Sequence, residues 1–437
     1  KQPIPIESGN LFTSNGGKLY LPFLDKEDTF AQLLTETKLL SSTTLSCVSS
    51  KSEYCLGKGW FITDAEKDEQ LSAWAAAVNR KGQSLNDILL AGFNSFNTFG
   101  NACIEVVRGK IGGYRFVKLY HRPFSECRLS APDEDDICNS VLVSKSFLQR
   151  YIWTLDPTKV AEIPLYSPNV FDRPWMRDER GNEHTMFHLK NETDGNAYYG
   201  LPSNIAGLIP AMLEYKHGRH NLDNLDNNMV LGGILTIKSS MTNEEAKALA
   251  KNIIKTHAGD GTTGRWIINS SESGIPEGVQ VDQFDAQNDS SFIEGDARNE
   301  AKIYIANRWN KLLIGGSESK GIGQGNSSYI RSIFDIANNT VIIPQQQMFV
   351  EKFLRPLLRI CDEWMGTKWS NHDIALRANM PITFLGDISV NNILTVDEGR
   401  EMIGKQPLGG EQGKRLIQEQ KQATIQQQPD VQNQPAE

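Results

Sequence analysis

Apolar residues recur at helical spacing through Ile205, Leu208, Ile209 and Met212, and again at Leu222, Leu225 and Met229, which predicts a long helix from Ser203 to about Met229. Ser203 is its expected N-cap, and Pro210 either kinks the helix or sits in its first turn. Gly218 and the asparagine-rich run to Asn228 are poor helix formers, so this helix needs tertiary or oligomeric support. A second stripe, Ala297, Ala301, Tyr304, Ile305, Trp309 and Leu312, predicts a helix from Phe292 to Leu313 that opens on a capping box at Ser291 and Glu294. Between the two, the pattern changes to strands at Ile234–Ile237, Arg265–Asn269 and Val279–Phe284, with a helix from the capping box Thr242-Asn243-Glu244-Glu245 to about Thr256. A helix that leaves a domain, carries a small mixed insert and returns as a second helix suggests a ring-forming or spanning structure rather than a catalytic pocket.

The flanking regions mix both periods. Helices are expected over Glu27–Leu40, Asp64–Asn79 and Leu85–Thr98, the last ending near Gly100. Cys47–Ile62 reads as a glycine-bearing turn entering a strand. Ala102–Arg108 and Tyr114–Tyr120 alternate around a Gly112-Gly113 turn and predict a hairpin. Further strands are expected at Glu126–Ser130, Val141–Val143, Thr185–Leu189 and Met380–Leu385. Helices are expected at Tyr329–Asn338, Pro344–Met365 and Thr395–Ile403, where Glu398 completes a capping box with Thr395. From Glu411 the chain is Gln-rich and poor in apolar residues, the composition of a tail that is partly disordered. The fold class is α+β.

At 437 residues the chain is too long for one ordinary core, and roughly two to four structural units are expected. The net charge of −8 argues against tight general binding of nucleic acid, whose affinity rests on Lys and Arg neutralising phosphates. An acidic protein can still handle DNA that must slide through it. No apolar run is long enough for a membrane span, and the opening residues lack the apolar core of a signal peptide. Six cysteines without CxxC spacing fit reduced thiols better than disulfides or a zinc site.

Candidate chemistry is thin. Gly321-Ile322-Gly323-Gln324-Gly325 has the look of a phosphate-cradling loop, but a helix precedes it, where the dinucleotide fingerprint needs a strand, and the P-loop Lys-Ser/Thr pair is absent. His184 and His188 share one strand face but stand about 13 Å apart, too far for one metal. His217 and His220 have helical spacing without a completing carboxylate or cysteine. Asp133-Glu134-Asp135-Asp136 reads as a solvated hairpin tip. No catalytic set, cofactor site or metal site is expected. The rival reading from another class is a soluble multidomain nucleotide-binding enzyme that uses the 315–327 loop.

The segment Asn97-Thr98-Phe99-Gly100-Asn101-Ala102-Cys103-Ile104-Glu105-Val106-Val107-Arg108 resembles the helix end, Gly-Asn-Ala turn and aliphatic strand of tailed-bacteriophage portal proteins. Arg122-Pro123-Phe124-Ser125-Glu126-Cys127-Arg128 is similar to the proline-containing stretch after the hairpin in that family. Tyr198-Tyr199-Gly200-Leu201-Pro202 resembles the approach to its first stem helix, Ala306–Ile314 the end of the second, and Ser327–Leu358 the helical return. Thr395–Gly410 resembles the closing helix and turn. The resemblance implies a mixed wing domain (residues 1–202), a first stem helix (203–231), a small α/β clip (232–290), a second stem helix (291–313), a tunnel loop (314–327), a helical return (328–410) and the tail (411–437).

It also implies a head-tail connector, a ring of commonly about twelve copies at one capsid vertex, assembled in the host cytoplasm and retained in the virion. Double-stranded DNA would pass without sequence specificity. The terminase large subunit, a head-tail adaptor and the major capsid protein would be partners, with no membrane involved. On this reading Lys320, Gln324, Asn326 and Ser327 face the channel, and Arg265, Trp266, Ile267 and Ile268 build the clip that joins subunits and docks partners. Another ring-forming tail or adaptor protein is the alternative within the same class.

Overall fold

The computed structural model describes residues 12–13, 19–25, 27–63, 68–148, 160–168, 174–192, 198–226, 231–238, 244, 248, 265–271, 278–283, 289–315, 327–379, 395–402, 406 and 408–414. Two compact units emerge: Lys1–Gly323 with Ala337–Ala378, and Gln324–Ile336 with Asn379–Glu437.

In the first unit, two short strands, β1 (Phe12–Thr13) and β2 (Leu19–Tyr20), pair antiparallel. The helix α1 (Phe30–Leu40) starts later than the sequence suggests, because Asp28 has a left-handed φ of 53° that no helix accommodates. The next helix, α2 (Ser42–Leu56), takes up the first part of the Cys47–Ile62 segment expected to be a turn entering a strand. Its buried face is Thr44, Cys47, Val48, Lys51, Ser52 and Cys55, spaced for a helix but built mostly from polar or small residues, so hydrophobic periodicity misses it. Ser41 caps it by accepting from Thr44 N at 3.1 Å. After β3 (Trp60–Ile62) comes α3 (Glu69–Ala76), shorter than Asp64–Asn79 and capped by Asp68, which accepts from Leu71 N. The helix α4 (Leu85–Phe99) carries a full Ser84/Asp87 capping box and ends at Gly100 with φ 70°.

A four-stranded antiparallel sheet follows, ordered β5-β4-β10-β9, from β4 (Asn101–Ile111), β5 (Tyr114–Arg122), β9 (Met176–Arg177) and β10 (Glu183–Lys190). The expected hairpin is present, turning through Gly112 and Gly113 at positive φ. A second antiparallel sheet joins β6 (Cys127–Leu129), β7 (Ser140–Val143) and β8 (Ala161–Pro164). Phe23, Phe30, Phe124 and Tyr199 meet in the core between these layers, with Phe23 set edge-on to both Phe124 and Tyr199. Buried Arg128 pairs with Asp28 in the same region, Nε to Oδ1 at 2.6 Å.

The helical path from Asn338 to Met365 begins before the expected Pro344. It holds two π turns, Asn338–Ile342 and Val350–Leu354, each followed within two residues by a proline (Pro344, Pro356). Proline lacks an N–H and clashes with the carbonyl four residues back, and a wider turn absorbs both defects without ending the helix. Phe349 from this path stacks on Phe93 of α4 at 4.0 Å. Ile374–Leu376, a strand not read from the sequence, pairs antiparallel with β3.

In the second unit, the helix Val396–Met402 opens on the expected capping box: Thr395 N donates to Glu398 Oε2 at 2.8 Å, and Glu398 N donates back to Thr395 Oγ1. Asp397 accepts from the backbone of Leu408 and Gly409 and closes the turn behind that helix. The Met380–Leu385 strand and the tail beyond residue 414 lie outside the described residues.

Candidate functional site: the paired helices and their insert

The two helices that frame the insert are α5 (Leu208–Asp226) and α6 (Asp289–Asn307). A single 3-10 turn, Ile205–Gly207, precedes α5, so the helix starts five residues after the expected Ser203 cap. Pro210 sits in the first turn, where a missing N–H costs nothing, and this resolves the alternative left by the sequence.

The helices pack antiparallel. A Cβ on Gly207 would lie 2.9 Å from that of Ala306, while midway along the pair His217 bonds Asp296, Nδ1 to Oδ1 at 2.6 Å. As positions rise along α5, their partners fall along α6. At its base the pair is tied to α2: Glu214 accepts from Ser41 Oγ and Ser42 Oγ, each at 2.6 Å, and from Thr43 N at 3.3 Å. This carboxylate therefore sits over the N-terminus of α2, where helix dipole and free N–H groups favour negative charge. Farther along α5, from Leu213 to Leu222, every residue except Glu214 and His217 is exposed, including Leu213, Tyr215 and Leu222.

On α6 the structure corrects three expectations. The helix starts at Asp289, ahead of the capping box expected at Ser291 and Glu294. The helix ends at Asn307, because Arg308 adopts φ 52°, and Trp309 and Leu312 fall in a turn and a short 3-10 segment beyond it. Within the helix the predicted apolar stripe is largely turned outward: Ala297, Ala301 and Ile305 are exposed, Ile305 at 75%, while Asn299, Ile303 and Asn307 are buried, and of the stripe only Trp309, beyond the helix, is buried. The segment after α6 is nonetheless anchored. Trp309 Nε1 donates to Ser50 Oγ at 3.3 Å, Ser50 Oγ donates to Leu313 O, and Asn310 caps the 3-10 turn up to left-handed Gly315.

That anchor is the base of the predicted channel-facing loop. Lys320, Gln324 and Asn326 lie outside the described residues, and Ser327 is the first residue of the helix Ser327–Ala337. Helix and 3-10 turn lead into the loop, and a dinucleotide fingerprint would need a strand there.

The insert forms a three-stranded sheet, ordered β12-β11-β13, from β11 (Leu231–Lys238), β12 (Arg265–Ser271) and β13 (Gly278–Gln283). β12 runs parallel to β11, and β13 runs antiparallel to it. Parallel neighbours need a crossover. Of the helix expected to supply it, Thr242 to Thr256, only Glu244 and Ala248 are described, both helical. Arg265, Trp266, Ile267 and Ile268 all lie on β12, an edge strand of the described sheet. Edge strands carry unpaired backbone groups that can receive another chain.

The two histidines of β10 do not converge. His184 donates to Glu105 Oε1 at 2.7 Å, and this bond is the main reason its pKa is raised. His188 bonds Asn101 Oδ1 at 2.9 Å, and burial lowers it to about 4. The acidic run is an exposed hairpin tip in which Asp133 accepts from Asp135 N and Ile137 N.

No family model matches the sequence, and no curated protein matches it. Solved structures do. A chain from the neck of an empty GTA particle (C6 symmetry) matches with a TM-score of 0.57 at 15% identity, covering 92% of this chain and 96% of that one. A chain from the virion of a native gene transfer agent particle matches at 0.55 and 14% identity, covering 92% and 97%. An HK97 family phage portal protein from Corynebacterium diphtheriae matches with 82% of this chain and 96% of that one covered, at 11% identity and a TM-score of 0.37. The class this defines is a fold: an α+β chain with paired helices and a small insert, shared along nearly its whole length with chains of the GTA neck and virion structures. The α+β class expected from the sequence agrees with that fold.

Proposed function

We propose that this chain is a portal subunit, a structural component of a head-tail connector. Copies close into a ring of about twelve at one capsid vertex, with α5 and α6 side by side as the wall. DNA passes through the centre during packaging and ejection, the terminase large subunit and later a head-tail adaptor dock at the insert, and the major capsid protein surrounds the ring.

The observation that carries this reading is the antiparallel pair α5/α6. It is held to the body at one end by Glu214, exposes apolar side chains along its length, and bears a sheet with open edges at the other end. Exposed Leu213, Tyr215, Leu222 and Ile305 are surfaces that neighbouring copies would cover. Residues Arg265–Ile268 on the edge strand supply backbone groups for pairing between subunits. Twelve copies at −8 each carry about −96, which keeps DNA from sticking to the ring as a whole.

Subunit counting of the purified full chain by native mass measurement and electron microscopy tests the proposal. A closed ring with a central hole is expected. A stable monomer at micromolar concentration, above all one that binds nucleotide, would replace it with the enzyme reading.

A further inference from the structure

Away from the paired helices' exposed faces, a cleft of about 320 Å³ opens in the first unit between α2, the end of α6 and the helical path after Asn338. Its wall includes four cations: Lys51, Lys190, Arg308 and Lys352. The only carboxylate among the lining residues, Glu192, is spent on Lys352 at 3.0 Å, and both of those side chains are more than half exposed at the rim.

Lys51 is different from the other three. Its side chain is 1% exposed, and its ammonium has no hydrogen-bond or ion-pair partner among the described residues. A buried charge without a partner is costly, and native proteins ordinarily pair such groups. The groups acting on it from nearby are the thiols of Cys47 and Cys55 and the guanidinium of Arg308. Burial, with Arg308 adding in the same direction, brings its pKa down to about 8, so it still carries its proton at neutral pH. Arg308 is held in place by unusual backbone: φ 52° ends α6 there and turns the side chain toward Thr340 O, which accepts at 3.4 Å. Buried Lys51 and exposed Arg308 thus line one cleft, whose single lining carboxylate, Glu192, is already paired.

We propose that this cleft binds a phosphate-bearing anion, with Lys51 as the buried contact, Arg308 as the forked one, and Lys190 and Lys352 at the mouth. The chemistry is shared by a free polyphosphate and a nucleic-acid backbone. None of the residues lining it belongs to the proposed channel loop.

The test uses the purified full chain and inorganic pyrophosphate as probe, with sodium chloride matched for ionic strength. Pyrophosphate should raise the melting temperature in a saturable way that chloride does not reproduce. Lys51→Met should weaken binding, measured by calorimetry, by about tenfold or more, and Arg308→Gln by a similar factor. Affinity should also fall as pH rises through about 8, the point at which Lys51 loses its proton. A short DNA duplex that competes with pyrophosphate assigns the site to backbone phosphates, and one that does not compete assigns it to a free phosphate compound. A pyrophosphate effect no larger than chloride's, or equal affinity in Lys51→Met and Arg308→Gln chains with native circular dichroism, overturns the proposal. If Lys51→Met does not fold, Arg308→Gln alone decides it.

Discussion

Asn101 and Gly200 are locked by two reciprocal hydrogen bonds: Asn101 Nδ2 donates to the Gly200 carbonyl at 2.7 Å, and Gly200 N donates to Asn101 Oδ1 at 2.8 Å. The same amide donates to Phe99 O and accepts from His188 Nε2, so all four of its bonding positions are filled inside the protein. Around it, Gly100 and Gly200 allow contact no side chain permits: a Cβ on Gly200 would lie 2.2 Å from Gly100 O, and one on Gly100 2.3 Å from Leu201 C. The α4–β4 turn and the approach to α5 are thereby fixed to each other.

Asn101→Asp tests this junction with a change of almost no volume. Aspartate cannot donate, so an oxygen would face the carbonyls of Phe99 and Gly200 in a fully buried site. We expect a loss of about 3 kcal/mol or more in unfolding free energy, read from denaturant melts. A loss within the range of surface substitutions would show that the junction tolerates slippage.

Glu214 is the corresponding pin between α5 and α2. Removing it as Glu214→Ala strips acceptors from Ser41, Ser42 and the Thr43 N–H, for a cost of about 1–2 kcal/mol at low salt. Glu214→Gln keeps acceptors but loses the charge at the helix terminus, and about 0.5 kcal/mol is expected. The difference between the wild-type protein and Glu214→Gln should shrink as salt is raised. Melts at low and high ionic strength check both.

What the sequence made legible follows from where apolar side chains mark the buried face. The α4 helix, its Gly100 stop and the β4–β5 hairpin were readable because Ile88, Leu89, Phe93, Ile104 and Val106 are core residues at the right periods. The α2 helix was hidden because its inward face is Thr44, Lys51 and Ser52 among cysteines and one valine, held by hydrogen bonds and by Glu214 rather than by apolar content. On α6 periodicity pointed to the wrong face: the helix buries Asn299 and Asn307 beside Ile303 and leaves Ala301 and Ile305 outside. A sequence pattern reports which side is apolar, and under the proposed ring that side is the surface a neighbouring copy would cover. The anchor of the loop on Ser50 depends on contacts across more than 250 residues (Ser50 with Trp309 and Leu313), beyond any local signal.

The histidines set the pH response. Burial holds His188 and His121 at about 4 in the folded protein, against 6.5 for a free imidazole. As pH falls from 6.5 toward 4, the unfolded chain takes up protons that the folded chain refuses, so stability drops across that window. His184 works the other way. Its pKa is raised, chiefly by Glu105, so its contribution is complete below 6.5 and is lost as pH rises through the folded value above that. Two imidazoles held far below their usual range outweigh one held above it, and acid lability should dominate. We expect His188→Gln to flatten the acid limb by on the order of 2 kcal/mol, and His184→Gln to flatten the slope just above pH 6.5. Denaturant midpoints from pH 4 to 8 would show either effect missing.

The channel reading turns on Lys320, the only basic residue between Gly315 and Ser327. In a ring, one lysine per copy gives a circle of single contacts that DNA can make and release as it moves, which a dense basic lining would not allow. Each phosphate neutralised steepens the fall of log affinity against log salt by about 0.9. If Lys320 meets the duplex, Lys320→Ala should weaken DNA retention in filled particles and flatten the salt dependence of duplex binding by purified rings. Lys320→Glu should act in the same direction and more strongly, because it places a repelling charge at every contact. Packaged DNA per particle and salt titrations of ring–duplex binding measure both. Packaging, retention and salt slope all unchanged in Lys320→Ala would remove this residue from the channel.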